Sequence, residues 1–324
     1  MHFLPSTRFF RFIIPVLIII LLSGIFAQYT LSIYYPEETP TSITPVQSED
    51  PAQEEETGLL NAFVYVILAL VGGFLVLFLL RRGMQDILKT LFLSVIALAS
   101  FVMGLWYFSP LIYITVYSVL PPTRFLAEIV SYWYSMGFSI FYAAFGAFVM
   151  NKTGKKTQIL RNSFLILFGA QLGAFMGVHF DLWDTIFVLI LLSLYDIYAV
   201  FKGPIRGMLE EGENSLLIKR PESENIDSIS PNENTEIVEH QIELFPVLPI
   251  YVSGEIIIGL GDFVFYALLV GFATKLGTVA LFAGLAVLLG AILTYKLLER
   301  WSALPGLPIS MFMGVLVLLI HHYS

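Results

Sequence analysis

Residues 183–202 read WDTIFVLILLSLYDIYAVFK, an apolar run with Asp184 at its very start and Asp196 inside it near its other end, closed by Lys202, Gly203 and Pro204. Twenty helical residues at about 1.5 Å each cover about 30 Å, the depth of bilayer hydrocarbon. Runs of comparable length lie at 9–33, 59–80, 87–108, 125–150, 158–178, 250–273, 276–298 and 305–322, making nine in all. Of 324 residues, 57% are hydrophobic and 13% charged, whereas a solvated surface needs roughly 25% charged residues. The sequence therefore predicts an all-α, polytopic membrane protein with nine transmembrane helices and excludes a large soluble catalytic domain. Residues 109–124 are apolar but short and end in Pro121 and Pro122, which predicts an interfacial connection.

Acids concentrate in two stretches, seven from Glu37 to Glu56 and ten from Glu210 to Glu243. The second, poor in aromatics, predicts a flexible acidic cytoplasmic loop at 207–249. It separates a part with helices 1–6 (1–206) from a part with helices 7–9 (250–324). With the N-terminus inside, fifteen Lys and Arg fall on the cytoplasmic side and only Arg124 and Lys275 face out. That predicts a cytoplasmic N-terminus and an extracellular C-terminus in the cell membrane. A cleaved signal peptide ending at Ala27 is the competing reading of the first run, but apolar residues continue to Tyr35 and favour a retained span. Cysteine is absent, which excludes disulfides, thiol nucleophiles and thiolate metal sites. No basic aromatic stripe suggests nucleic acid.

A mid-membrane Asp costs about 2.5–3.5 kcal/mol on insertion scales, so each buried acid is a functional candidate by default. The main ones are Glu128, Asp196, Glu255 and Asp262. Helical rise puts Asp196 about 9 Å inside the cytoplasmic boundary and Asp262 about 10 Å beyond Glu255 on the antiparallel seventh run, so the two aspartates reach the same depth. Two carboxyls sharing a low-dielectric site cannot both ionise easily, and such a pair holds one proton near neutrality. That chemistry serves either water activation or a proton or cation relay in a channel or transporter. Gly259 and Gly261 remove bulk beside Asp262, so a helix or substrate backbone can approach. Tyr266, four residues on, shares the helix face of Asp262 and is placed to hydrogen-bond it. Pro305-Gly306-Leu307-Pro308 prevents regular helix, and irregular backbone at membrane depth persists only when buried in protein or lining a cavity. Such a segment can hold an extended peptide.

Leu194-Tyr195-Asp196, Gly259-Leu260-Gly261-Asp262-Phe263 and Leu304-Pro305-Gly306-Leu307-Pro308 resemble the YD, GLGD and PALP motifs of presenilin-type intramembrane aspartyl proteases. The likeness extends through Lys202 to Arg206 and through Tyr266, covering the C-terminal half. It implies a hydrolase of GxGD type that cuts transmembrane protein substrates inside the bilayer, with Asp196 and Asp262 catalytic. It further implies substrate contacts from Tyr195, Gly259, Leu260, Gly261, Pro305, Gly306 and Leu307, and no metal or cofactor. Signal peptide peptidases carry the same motifs in the inverted sense. The inside N-terminus therefore implies substrates whose own N-terminus lies outside. The small size resembles archaeal members that act without accessory subunits. The family usually has Ala where this chain has Gly306, and the glycine is expected to loosen that loop. Prepilin peptidases share a GxGD-type aspartate but lack the Pro-rich third motif. His179 with Asp181 and Asp184 has metal-ligand chemistry but few companions, which favours a structural or solvated role.

Overall fold

The structure is a computed structural model and describes residues 7–36, 44–46, 53–119, 124–152, 155–201, 250–253, 256–298 and 305–324. The predicted loop at 207–249, Lys202 to Arg206, and Glu255 lie outside the described residues. Nine helices run among those described: α1 Thr7–Tyr34, α2 Glu54–Arg81, α3 Gln85–Val119, α4 Arg124–Asn151, α5 Lys155–His179, α6 Leu182–Phe201, α7 Leu260–Thr274, α8 Val279–Leu298 and α9 Pro308–Tyr323. Seven are long and apolar enough to cross a membrane, while α7 and α9 are shorter apolar helices of 15 and 16 residues. The architecture is nearly all-helical, as the nine apolar runs predict.

Two segments depart from expectation. Residues 109–119 are not an interfacial connection but continue α3 through Pro110. Proline removes one helical N–H and leaves the carbonyl four residues earlier without its partner. That carbonyl, of Trp106, accepts the Tyr34 hydroxyl at 2.7 Å, so α1 compensates the break. The seventh apolar run does not start as helix either. β1 (Ile250–Ser253) and β2 (Ile256–Gly259) pair antiparallel, Ile250 opposite Gly259 and Ser253 opposite Ile256. The β-branched composition of IYVS and IIIG favours strand. Gly259, extended at φ −69° and ψ 146°, then turns the chain into α7. Asp262 consequently lies in the first turn of α7 rather than deep along a helix begun at 250.

The core is built around α7, where Phe263, Val264 and Tyr266 through Ala273 are all buried. It packs on α5 and α1 and also touches α6, α8 and α9, so the C-terminal helices interleave with the first six. Gly169, Gly173 and Gly177 stand four apart on α5. A Cβ at 173 would lie 2.3 Å from the Val264 carbonyl oxygen, and one at 177 would lie 2.3 Å from that of Leu268. With only hydrogen there the two backbones touch, as in small-residue helix packing in membranes. Outside this core, α2 presents Leu60, Phe63, Ile67, Leu68, Val71 and Phe74 outward, a surface suited to lipid chains.

α2 is tied to α6 by a buried polar pair. Asn61 donates to the Asp184 carboxylate at 2.8 Å and exchanges hydrogen bonds with the backbone of Val46 at 2.8 and 2.9 Å. His179 is likewise structural. It ends α5, is buried, and bonds the Tyr35 hydroxyl and the Phe175 carbonyl.

Candidate active site

Asp196 is carried by the last turns of α6 and Asp262 by the first turn of α7. What brings them to one place is the loop at 305–307, which precedes α9 and is itself positioned because α9 packs on α6, α7 and α8. Pro308 at the start of α9 lacks an N–H that a helix would leave unpaired there anyway, so it suits the first helical position directly after the loop. The Leu307 N–H donates to Asp196 Oδ2 at 3.2 Å. On the neighbouring residue, Gly306 faces Asp262 so closely that a Cβ would sit 2.7 Å from Oδ2, 3.1 Å from Cγ and 3.2 Å from Oδ1. The two carboxyls thus converge on consecutive residues and lie within electrostatic range of one another.

Tyr266 does not bond Asp262, as the shared helix face suggested. Its buried hydroxyl donates to the Gly306 carbonyl at 3.0 Å. The helix spacing was right, but the loop supplies an acceptor where no sequence pattern announced one. Gly306 is correspondingly not loosened: its carbonyl is bonded, the next amide is bonded, and Asp262 occupies the space a side chain would take.

The other residues drawn from the motifs divide. Pro305 and Leu307 are buried within the loop. Among the described residues, a Cβ at Gly259 or at Gly261 would find nothing nearer than 3.9 Å, so none of the described helices fills the space beside these two glycines. Leu260 turns toward α5, where its Cδ1 would be 3.3 Å from a Cβ on Gly169. The Tyr195 hydroxyl points to α2 and donates to the Ala69 carbonyl at 3.3 Å, away from the loop. Glu128 is exposed on α4. The residues that sequence reasoning missed are the α5 glycines, which let α7 approach. Their spacing of four was legible but lay outside the acid-bearing motifs.

A family model described as Presenilin matches residues 5–216 and 218–324. The chain belongs to the presenilin family. It is 29% identical over 143 residues to Presenilin-B of Dictyostelium discoideum, covering 41% of this chain and 24% of that protein. It is 48% identical over 64 residues to the Presenilin homolog of Drosophila melanogaster, covering 18% and 12%. The aligned stretches therefore span about a quarter or less of these presenilin relatives. Among solved structures, a presenilin family intramembrane aspartate protease superposes with a TM-score of 0.56 at 12% identity, covering 98% of this chain and 99% of that one. At that identity the likeness concerns the fold: this presenilin-family chain is a multi-pass integral membrane protein with the same helical architecture.

Proposed function

We propose that this presenilin-family chain is an intramembrane aspartyl endopeptidase whose catalytic pair is Asp196 and Asp262. The observation that carries the reading is their convergence from different helices on the Gly306–Leu307 loop. In the cycle that geometry supports, a water lies between the carboxyls. The ionised one takes its proton while the protonated one donates to the scissile carbonyl oxygen, giving a tetrahedral gem-diol with no covalent enzyme intermediate. Collapse then transfers a proton to the departing nitrogen, breaks the C–N bond and restores one proton on the pair.

The substrate is a transmembrane helix of another protein, locally unwound so that its backbone reaches the pair. Extended substrate finds hydrogen-bonding partners along the β1–β2 hairpin, which leads directly into α7 and is two-stranded among the described residues. The free space beside Gly259 and Gly261 adjoins the scissile position, and Pro305, Gly306 and Leu307 shape its other wall. Tyr195 and Leu260 act from behind, holding α6 to α2 and α7 to α5. The charge asymmetry supports a cytoplasmic N-terminus and an extracellular C-terminus; with presenilin-type motifs, that orientation favours substrates whose N-terminus is outside, and the small size of the chain favours cleavage without accessory subunits.

The test is incubation of the purified protein in bicelles with a tagged single-span substrate, alongside Asp196→Asn and Asp262→Asn. Fragments ending inside the span, reduced at least about 1,000-fold in either variant, are the expected result. Cleavage that survives either change contradicts the pair, and proton flux through liposomes with no proteolysis would put a relay in its place.

A further inference from the structure

Gly306 C=O and Leu307 N–H belong to one peptide group, and in a trans peptide they point to opposite sides. The carbonyl accepts from Tyr266 on α7 and the amide donates to Asp196 on α6, at 3.0 and 3.2 Å. This single peptide therefore bridges the two helices that carry the aspartates. Tyr266 and Asp262 are one turn apart on the same face of α7. That helix grips Gly306 twice, through the tyrosine hydroxyl on its carbonyl and through the Asp262 carboxylate packed at its Cα.

We infer that Tyr266 is a positioning residue for peptide hydrolysis, clamping the Gly306–Leu307 peptide so that Asp196 and Asp262 are held in register. The inference rests on the proteolytic reading of that pair. A fully buried phenol hydroxyl needs a partner, and the structure supplies it from a loop with no helical ladder of its own. Hydroxyl, peptide and carboxylate form a hydrogen-bonded chain whose members polarise one another in a low-dielectric setting. Loss of the hydroxyl frees the carbonyl, lets the peptide plane rotate, and takes the amide off Asp196 without disturbing either aspartate's own helix.

The segment from Pro305 to Pro308 makes the clamp directly observable. Both prolines lack an N–H, so its only exchangeable amides are those of Gly306 and Leu307. In the parent, reconstituted in nanodiscs, the Leu307 amide is expected to exchange at least about 100-fold slower than in a free peptide. Free exchange there overturns the clamp without any variant. Tyr266→Phe is expected to speed that exchange roughly tenfold. It should also lower turnover per site, titrated with a transition-state analogue, by roughly 10- to 100-fold, with KM unchanged within about twofold. Tyr142→Phe, which removes another buried hydroxyl from Gln171 on α5, should keep turnover per site. A merely structural Tyr266 would reduce the number of titratable sites while turnover per site stayed at the parent value, and that result, or unchanged Leu307 exchange, overturns the inference. If the parent cuts nothing, or cuts without its aspartates, the proteolytic reading falls instead, and amide exchange still reports on the clamp.

Discussion

Gly306→Ala adds one methyl at the point where Asp262 meets the loop. Its Cβ would stand 2.7 Å from Oδ2, whereas ordinary contact begins near 3.4 Å. The carboxylate must retreat by about 0.7 Å or turn off its rotamer. A carboxylate end can yield, so the energetic penalty is modest, about 0.5–1.5 kcal/mol for a displaced rotamer. Against it, replacing Gly by Ala at an ordinary backbone position gains about 0.4–1 kcal/mol by restricting the unfolded chain. Gly306 qualifies, because only Gly83 and Gly277 among the described glycines have positive φ. Stability should therefore change by less than about 1 kcal/mol. On the proposed reading, in which Asp262 is a reacting group, catalysis is less forgiving: a misplacement of about 1 Å costs on the order of 100-fold. The expected loss is roughly 10- to 100-fold in kcat, or about 1.4–2.7 kcal/mol of barrier, with an unchanged melting temperature. The assay is turnover of a tagged single-span substrate per titrated site, beside a thermal melt. Parent-like or faster turnover in Gly306→Ala would refute the claim that the close approach of Gly306 sets the position of Asp262.

Asn61→Leu removes the side-chain amide that donates to the buried Asp184 carboxylate and pairs with the Val46 backbone, and should destabilise the protein by about 2–4 kcal/mol in a detergent unfolding titration; a shift under about 0.5 kcal/mol would mean that water replaces the amide. Gly173→Ala forces α5 and α7 apart at the Val264 carbonyl and is expected to cost about 2–3 kcal/mol and to lower turnover, because α7 carries Asp262; normal turnover at full stability would show that the helices slide freely. Lys275, in the turn after α7, donates to the Phe180 carbonyl and lies over the Phe272 ring. Burial pushes its ammonium down to about 8, against the upward pull of Asp181 and Asp184. Between about pH 8 and the usual lysine range the unfolded chain binds more protons than the folded one, so this group makes stability rise with pH across that window. The melting temperature of the parent should gain at least about 2 °C on that of Lys275→Met between pH 7.5 and 9.5, and parallel curves would show that the ammonium is solvated.

How much was legible varied with the range of the physics involved. The apolar runs mark the nine helices because hydrocarbon thickness sets their length locally. The acids inside them stand out because a carboxyl in lipid is costly wherever it occurs. The start of α7 was misplaced because hydrophobicity is blind to the choice between helix and strand over a short β-branched stretch, and IYVS and IIIG form a hairpin. Over 256–259 the chain therefore rises as strand, about 3.4 Å per residue, rather than as helix, and Asp262 still reaches the same loop as Asp196. Pro110 looked like a helix end because the donor that compensates it, Tyr34, is 76 positions away in the chain.

Composition and the three motifs by themselves determined that this chain is a polytopic helical protein with two aspartates in apolar runs and a proline-bounded loop, since each of those features depends on neighbours a few residues away. Tertiary structure alone decided that the loop lies between the aspartates, that one peptide group joins Tyr266 to Asp196, and that Gly306 serves to make room for Asp262. Hydrogen-bond partners and close contacts depend on which helices pack together. That choice was made by the α5 glycines and the burial of α7, over separations that no local pattern encodes.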